Sequence, residues 1–287
     1  MQIDEHVPLA PKTTMRIGGR ARYFAEPKTK EEAEEAVAFA QEKGLPLILL
    51  GGGSNTIFAD GTIEAVVIRI KADRVSREGK TVTVEAGKLL PVLVNELAEH
   101  GLDLSPLTGI PGTIGGAIVG NAGQGPKGVW IDKFVVSVTA LIGGKWETFK
   151  KDKCGFRYRE SAFKTMSPVP IIWEVTFAAP AGDPDAIRQN IERLLQKRIE
   201  TQPHTKTAGS CFKAVGGTPA WQLIDAAGLR GNKIGNVQIS EKHANFLINE
   251  GGATFADTVA LIEKVKGSVE EPLEVEMRLI REDGTAL

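Results

Sequence analysis

Two glycine-rich segments have residue types and a spacing that suit the binding of a ligand by backbone groups. Gly51-Gly52-Gly53-Ser54-Asn55 follows an apolar run, and the segment 109–128 holds eight glycines in twenty residues. Backbone N–H groups that no side chain covers can converge on an anion or lie against a flat ligand. We predict that the first segment binds an anion such as a phosphate, and that the second lies against a flat, extended ligand such as a dinucleotide. The alternatives are a plain tight turn for the first segment and an irregular surface loop for the second.

The second segment contains a formal GxGxxG pattern at Gly123, Gly125 and Gly128. In a Rossmann domain this pattern follows a strand and opens a helix. Here no strand is expected before the pattern, Pro126 interrupts it, and the residues after it, 130–138, have the composition of a strand. No GxxxxGK[ST] motif occurs either. A dinucleotide must therefore be held by a fold other than the Rossmann fold.

A basic run is the third candidate. Residues 150–164 contain six Lys or Arg residues against Asp152 and Glu160, which gives a local charge of +4. Such a run suits an anionic substrate, and the alternative is a solvated basic surface.

Composition excludes several classes of function. The net charge of −1, from 35 basic and 36 acidic residues, lacks the positive excess of nucleic-acid binders. Cys154 and Cys211 form no CxxC pair and no disulfide framework, and the four histidines are scattered without a metal-ligand motif. The first residues lack signal-peptide features, and the longest apolar run, 45–50, has six residues. We predict a cytoplasmic protein with no metal, no membrane contact and no obligate protein partner.

The elements that would position these residues follow from periodicity, capping and turn residues. Thr29 and Glu32 form a capping box and Gly44 ends the same helix, whereas Gly143-Gly144 indicates a hairpin. Segment 109–128 is not expected to form a core element. Helices are predicted at 29–44, 90–100, 183–201, 221–227 and 254–266, and strands at 45–50, 65–70, 81–85, 134–142, 145–149, 170–177, 245–248 and 273–280.

The order of these elements mixes hairpins with helices and does not alternate strictly, which predicts an α+β fold. A length of 287 residues suits about two domains, with a boundary near residues 180–200. The helix that begins at Asp183 is expected to bury one apolar face. Its members are Ile187, Ile191, Leu194, Leu195 and Ile199.

Four motifs together resemble one family, the UDP-N-acetylenolpyruvoylglucosamine reductases. They are Leu50-Gly-Gly-Gly-Ser-Asn55; Gly109-Ile-Pro-Gly-Thr-Ile-Gly-Gly116 with Asn121-Ala-Gly123; Tyr158-Arg-Glu-Ser161 with Phe163-Lys164; and Ala208-Gly-Ser-Cys-Phe-Lys213. Residues 14–19, 242–249 and 273–280 extend the resemblance over nearly the whole chain.

The resemblance implies a two-subdomain FAD-binding fold of the PCMH/vanillyl-alcohol-oxidase type, followed by an α+β domain for the UDP-sugar. The expected bounds are 1–70 and 71–182 for the two FAD-binding subdomains and 183–287 for the C-terminal domain, whose last strand can return to the active site. The 51 positions from Arg159 to Ser210 leave no room for the tyrosine loop of long-form members. Ala214 also replaces a polar residue that those members have near the diphosphate.

The activity implied by the resemblance is an oxidoreductase reaction of peptidoglycan precursor synthesis. NADPH reduces non-covalently bound FAD, and the reduced flavin then converts UDP-N-acetylglucosamine enolpyruvate to UDP-N-acetylmuramate. Two other hypotheses remain: an FAD-dependent alcohol or sugar oxidase of the same fold, and a non-catalytic UDP-sugar-binding protein.

Matching the family motifs residue by residue assigns Arg159 to the substrate carboxylate, Ser210 to proton donation and Glu276 to a role beside them. Without the resemblance, Glu276 would be taken for an exposed strand residue. Tyr158, Lys213 and His243 are candidate substrate contacts, although His243 could equally be an ordinary polar residue. The candidate FAD contacts are Gly51, Gly52, Gly53, Ser54, Asn55, Thr56, Gly109, Ile110, Pro111, Gly112, Thr113, Gly115, Gly116, Ala117, Asn121 and Gly123.

Overall fold

A computed structural model of the chain describes residues 1–125 and 128–287. Pro126 and Lys127, which belong to the second glycine segment and to the GxGxxG pattern, lie outside the described residues. The described strands, in chain order, are β1 (Ile3–Pro8), β2 (Arg20–Ala25), β3 (Leu47–Leu49), β4 (Thr56–Phe58), β5 (Thr62–Ile68), β6 (Val75–Glu78), β7 (Thr81–Glu85), β8 (Val135–Ile142), β9 (Lys145–Lys150), β10 (Ile171–Ala178), β11 (Lys233–Ile234), β12 (Val237–Ile239), β13 (Leu247–Asn249) and β14 (Arg278–Ile280). The α-helices are α1 (Lys30–Lys43), α2 (Leu90–Glu99), α3 (Ile114–Val119), α4 (Pro184–Thr201), α5 (Ala220–Ala226) and α6 (Phe255–Ser268).

The chain forms two compact units, and each is assembled from separate segments. The first unit contains Met1–Gln2, Ala25–Gly52 and Ile68–Arg198. The second unit contains Ile3–Phe24, Gly53–Val67 and Ile199–Leu287. Both units mix helices with strands, as the sequence predicts. The finer division at residues 70 and 182 stays a prediction.

The first unit is built on an antiparallel sheet with the strand order β6-β7-β10-β8-β9. The predicted hairpin between β8 and β9 is confirmed. Its turn residues Gly143 and Gly144 have φ values of 56° and 79°, which suit a two-residue turn with positive φ at both positions. Helices α2, α3 and α4 share one apolar cluster with β7, β8 and β10. This packing fixes the ends of the loops that carry the predicted site.

Helix α1 has the predicted ends. The Thr29 hydroxyl accepts a hydrogen bond from the backbone N–H of Glu32 at 3.2 Å, and Gly44 adopts the left-handed conformation. The Glu32 carboxylate accepts from the N–H of Lys28 at 2.6 Å, one residue before the usual capping-box donor. Ala33 joins a small buried cluster with Trp173.

The expectation that segment 109–128 builds no core element was wrong. It contains α3, whose Ile114, Ala117 and Ile118 are buried in the main cluster of the first unit. A six-residue helix with two internal glycines is weak by propensity alone, so its tertiary contacts stabilise it. The glycines masked a pattern of apolar residues at i, i+3 and i+4.

Helix α4 buries less of its apolar face than the periodicity predicts. Ile187 and Ile191 are buried, whereas the side chains of Leu195 and Ile199 are 43% and 40% exposed. The predicted strand 134–142 is observed as β8, whereas residues 131–133, which have the composition of a strand, form a 3₁₀ turn before it. The predicted strand 273–280 is regular only at Arg278–Ile280.

The second unit gathers several small sheets around one apolar cluster. Strands β1, β2 and β5 are successive neighbours in one sheet, and β11, β12 and β13 form an antiparallel sheet. β14 pairs with β4 in parallel, although the two are more than two hundred residues apart in the chain. Met15 and Ile17 from the N-terminal segment pack with Phe212 and Leu279 from the C-terminal segment. The sequence reading missed β1, β2, β4, β6, β11 and β12, since they are short or follow no clean alternation.

Helix α6 begins at a complete capping box. The Thr254 hydroxyl accepts from the N–H of Asp257 at 3.0 Å, and the Asp257 carboxylate accepts from the N–H of Thr254 at 3.1 Å. None of the helices within the described residues combines the length and the apolar composition that a membrane span requires.

Candidate active site

Arg159 lies at the tip of a tight turn in the first unit. Arg157 and Glu160 exchange backbone hydrogen bonds of 3.0 and 3.1 Å, which leaves Tyr158 and Arg159 as the two turn residues. Arg159 has φ = 57°, a left-handed conformation that non-glycine residues rarely adopt. Such a strained residue persists when its surroundings hold it in place, and strain of this kind concentrates at functional sites.

Three contacts hold this turn against the end of α3. The Asn121 amide donates to Arg157 O at 2.9 Å, and the Ser161 hydroxyl donates to Val119 O at 2.8 Å. Arg159 Nη1 donates to Gly123 O at 2.9 Å. The predicted catalytic arginine is therefore fixed to the second glycine segment, at the residues where the FAD contacts are predicted.

The ring of Trp130 packs against Tyr158, the other residue of this turn. Their ring centroids are 5.7 Å apart, and the Arg159 guanidinium lies 5.7 Å from the Tyr158 ring. Gly123 is required by this packing, because a Cβ there would lie 2.0 Å from Trp130 Cδ1.

Sequence reasoning missed Arg198, at the last turn of α4. Its Cδ lies over Gly109, where an added Cβ would be 2.6 Å away. Burial lowers the pKa of the Arg198 guanidinium, and the positive charge of Arg159 lowers that pKa further. The positive charges of the two guanidinium groups thus repel each other within the first unit. A bound anion would reduce this repulsion. In the sequence, Arg198 is one of many charged residues in a helix whose charges suit an ordinary solvated face. Its residue type and position therefore did not mark it as a site residue.

A buried hydroxyl lies next to Gly109 in the chain. Thr108 is 4% exposed, and its Oγ1 has no hydrogen-bond partner among the described residues. The Gln124 amide donates to Thr108 O at 3.0 Å and to Pro106 O at 3.2 Å, so it joins the two ends of the second glycine segment. A buried hydroxyl without a partner is costly and points to a polar ligand atom at this position.

The two predicted FAD loops are adjacent in the first unit. A Cβ at Gly52 would lie 2.7 Å from Gly112 Cα, and one at Gly51 would lie 2.8 Å from Thr113 Oγ1. Gly115 packs in the same way against the Ala86 side chain at 3.1 Å. These glycines are therefore needed for close contact between protein segments. The sequence prediction had explained them by access to a ligand alone.

Gly116 is different, because protein packing does not demand a glycine there. It is exposed, and among the described residues an added Cβ would meet only Thr113 Oγ1 within 4 Å, at 3.6 Å. This open backbone and the unpaired Thr108 hydroxyl together fit a ligand such as FAD. The Asn121 side chain, by contrast, is occupied by Arg157 O and by the N–H of Asp132.

In the second unit, the rest of the first glycine loop lies beside the segment that precedes Ser210. The Thr14 N–H and hydroxyl donate to Gly53 O at 3.0 and 3.3 Å, and the hydroxyl also reaches Thr207 O at 2.7 Å. A Cβ at Gly209, which has φ = 79°, would lie 3.8 Å from Ser54 O.

Ser210 and Glu276 lie on neighbouring extended segments of the second unit. Phe212 and Val275 form an antiparallel bridge, and the N–H of Glu276 donates to Cys211 O at 2.8 Å. Asn55 holds the same segment, since its side chain donates to Glu276 O at 3.1 Å and its carbonyl accepts from the N–H of Arg278 at 2.8 Å. The second unit thus brings together the predicted proton donor, the predicted glutamate and the predicted FAD-loop residues Ser54 and Asn55.

Cys211 is buried, and its surroundings disfavour the thiolate that a nucleophile needs. Burial raises the pKa of its thiol well above the usual range, and the Glu276 carboxylate raises it further. Cys154, in the first unit, is also buried, which raises the pKa of its thiol to about 11. Both cysteines are free.

Two of the predicted substrate contacts, Lys213 and His243, lie in the second unit with Ser210. Lys213 is 9% exposed, and its Nζ lies 2.6 Å from Glu274 Oε1. The His243 ring packs against Phe246, with centroids 4.7 Å apart, and its Nδ1 accepts from the N–H of Asn245 at 3.3 Å. Among the described residues no group of three His, Cys, Asp or Glu side chains is arranged to hold a metal ion.

Comparison with known proteins identifies the family of the chain. A family model described as "FAD binding domain" matches residues 21–144, which places the chain among FAD-dependent oxidoreductases of α+β fold. A second model, "UDP-N-acetylenolpyruvoylglucosamine reductase, C-terminal domain", matches residues 202–279.

Reductases of this name from Moorella thermoacetica and Carboxydothermus hydrogenoformans are each 38% identical to the chain, over 97% and 96% of its length and over 92% and 91% of theirs. The crystal structure of UDP-N-acetylenolpyruvylglucosamine reductase from Thermus caldophilus superposes with a TM-score of 0.85 at 32% identity, covering 97% of this chain and 99% of that one. The chain belongs to the UDP-N-acetylenolpyruvoylglucosamine reductase family, which confirms the resemblance and the FAD cofactor.

Proposed function

We propose that this protein reduces the enolpyruvyl ether of UDP-N-acetylglucosamine enolpyruvate to the lactyl ether of UDP-N-acetylmuramate, with NADPH as the source of hydride. FAD, held by the two glycine loops, would supply the hydride chemistry between NADPH and the substrate vinyl carbon β to the carboxylate. The protein must then stabilise the negative charge that develops on the carboxylate and protonate the α carbon.

Arg159 is suited to the first task. Its guanidinium is permanently charged and offers a planar fork that matches a carboxylate. The tight turn and its contact with Gly123 O fix the side chain before substrate arrives, so little reorganisation is needed during the reaction. Arg198 adds a second positive charge within the same unit, which favours an anion still more.

Ser210 is suited to the second task through its position. A serine hydroxyl is a weak acid, so it can protonate only a strongly basic carbon to which it is held close. Glu276, on the neighbouring segment, is placed to replenish the proton or to polarise the substrate carboxylate. The proposed FAD contacts are the loops around Gly51–Thr56 and Gly109–Gly123. Proposed substrate contacts are Tyr158, Lys213 and His243.

The observation that carries this proposal is the pairing of segments 210–213 and 274–276. These segments carry Ser210 and Glu276, and the Asn55 side chain donates to the backbone carbonyl of Glu276. Two free buried cysteines suit a reducing compartment, so we place the reaction in the cytoplasm.

A stopped-flow experiment that follows flavin absorbance tests the proposal. The purified protein should be yellow and release FAD on heating. NADPH should bleach the flavin absorbance without oxygen, and UDP-N-acetylglucosamine enolpyruvate should restore it. Absence of flavin, or reduced flavin that the substrate leaves unoxidised, would refute the proposal. Oxygen consumption with simple alcohols or sugars would instead support an oxidase, and binding of the UDP-sugar without turnover would support a non-catalytic binding protein.

A further inference from the structure

Asn245 bonds the segment that carries Ser210 through both polar atoms of its side-chain amide. It is 5% exposed, and its amide bonds both polar backbone atoms of Phe212. Oδ1 accepts from Phe212 N at 2.9 Å, and Nδ2 donates to Phe212 O at 2.9 Å. Because one partner is a donor and the other an acceptor, the orientation of the amide is fixed.

The backbone of Asn245 continues the same contact. Its carbonyl accepts from the N–H of Cys211 at 2.8 Å, and Ser210 forms a bridge with Phe246. The side-chain amide thus takes the place of a peptide group and extends a short antiparallel pairing by one residue. Glu276 is bonded to the opposite edge, where its N–H donates to Cys211 O. Segment 210–213 is therefore held between Asn245 and Glu276.

We propose that Asn245 is a positioning residue, which sets the register of Ser210 against Glu276 for protonation of the substrate. This inference rests on the proposed function, and in particular on Ser210 as the proton donor. The physical reason is that a weak acid contributes only when it is held close to the reacting carbon, and a displacement of about 1 Å can slow a reaction by about 10²-fold. Asn245 itself is not expected to touch the substrate.

Asn249 provides a matched control in the same unit. It is 4% exposed, and its amide also joins backbone segments, donating to Met15 O at 2.9 Å and accepting from the N–H groups of Gly251 and Ala253. Loss of either asparagine leaves buried backbone groups without partners and lowers stability. Of these two asparagines, Asn245 is the one whose side chain bonds segment 210–213. Its loss, and not the loss of Asn249, should therefore slow protonation of the substrate.

The decisive experiment measures the two half-reactions of the FAD-loaded enzyme separately. Asn245→Ala should leave NADPH-driven flavin reduction unchanged but slow substrate-driven reoxidation by about 10-fold to 10²-fold. Asn249→Ala should lower the melting temperature without changing the ratio of the two rates. If Asn245→Ala slows both half-reactions equally, or neither, the positioning role is wrong. If the wild-type protein itself is not reoxidised by the substrate, the proposed function fails instead.

Asn245→Asp keeps the size of the side chain and covers the case in which the alanine variant does not fold. Ionised aspartate would face Phe212 O without a proton to donate, whereas protonated aspartate regains the donor. Relative to wild type, reoxidation by the aspartate variant should therefore recover as the pH falls. Cys211, His243 and Glu276 lie around this position in both proteins, so the pH profile of the wild type is the reference, and Asn249→Asp shows what a new buried carboxylate does by itself. A ratio that is independent of pH, or that recovers equally in Asn249→Asp, would overturn the proposal.

Discussion

Ser210 and Arg159 perform their proposed tasks through very different local structures. Arg159 is a strained turn residue whose guanidinium is fixed by Gly123 O. Ser210 follows Gly209 and lies in an extended segment that backbone pairing aligns with Glu276. The arginine offers a fixed charge, whereas the serine offers a proton whose usefulness depends on position.

Replacing Ser210 with alanine should separate the two half-reactions. We expect Ser210→Ala to bind FAD and to be reduced by NADPH at the wild-type rate. Reoxidation by the enolpyruvyl substrate should slow by about 10²–10⁴-fold, the usual contribution of a positioned acid. Stopped-flow absorbance of the flavin measures both rates, and the helix-surface variant Ser268→Ala serves as the control. An unchanged reoxidation rate would exclude Ser210 as the proton donor.

Arg198→Met should weaken binding of the anionic substrate while retaining the aliphatic stem that covers Gly109. Because a hydrogen bond to a charged group contributes roughly 1.5–3 kcal/mol, we expect KM for the substrate to rise by about tenfold or more. Arg193→Met, at an exposed position of the same helix, should leave KM unchanged. A loss of FAD affinity with an unchanged KM would show that Arg198 acts by packing on Gly109 alone.

At the scale of elements, the two glycine loops are packed structures as well as ligand loops. Gly52 is confined by the backbone of Gly112, whereas Gly116 has open space on the surface of α3. The glycine excess in the sequence therefore has two physical causes. Close contact between protein segments explains some positions, and access to a ligand remains the best reason for others.

Alanine substitutions should distinguish these causes. Gly116→Ala lies within a helix and is expected to stabilise the FAD-free protein by about 0.5–1 kcal/mol while lowering FAD affinity. Gly267→Ala, in α6, where an added Cβ would meet nothing within 4 Å among the described residues, should stabilise without affecting FAD. Thermal unfolding and FAD titration measure the two effects. Equal FAD affinity in both variants would remove Gly116 from the FAD site.

Gly52→Ala should behave in the opposite way to Gly116→Ala. Its Cβ would lie 2.7 Å from Gly112 Cα, so one loop must move. Overpacking of this kind costs typically about 1–3 kcal/mol of unfolding free energy, and FAD should be lost at the same time. Wild-type stability in the FAD-free variant would show that the loops are not in contact.

At the scale of the whole molecule, the second unit is not a continuous piece of chain. Its apolar cluster joins Met15, Ile17 and Ile57 to residues beyond position 207, and β14 has β4 as its parallel partner. The C-terminal family match at 202–279 therefore covers only part of the segments that build this core.

A fragment containing residues 199–287 should consequently fail to fold alone. It lacks the N-terminal part of its own apolar cluster and the strand that pairs with β14, so its exposed apolar surface should favour aggregation. Circular dichroism and thermal unfolding of the fragment, compared with the full chain, measure this. Cooperative unfolding of the isolated fragment would contradict the expectation.

Local signals in the sequence predicted much of this architecture. Thr29 and Gly44 mark the ends of α1, and Gly143-Gly144 marks the hairpin, because caps and turns depend on neighbouring residues. Short strands such as β4 and β12 were missed, since each is stabilised by partners far away in the chain. Helix α3 was missed because glycine obscured its three buried apolar residues.

The sequence by itself determined the family, the α+β class, FAD as the cofactor and the identity of the candidate catalytic residues. The fold class follows from the order of the predicted elements, whereas FAD and the candidate catalytic residues follow from the resemblance of short motifs to the family. Tertiary structure alone decided that Arg198 shares the first unit's anion-favouring region with Arg159, and that Asn245 holds the segment of Ser210. Both facts arise from contacts between residues more than thirty positions apart, and spacing along the chain carries no information about which distant groups folding brings together.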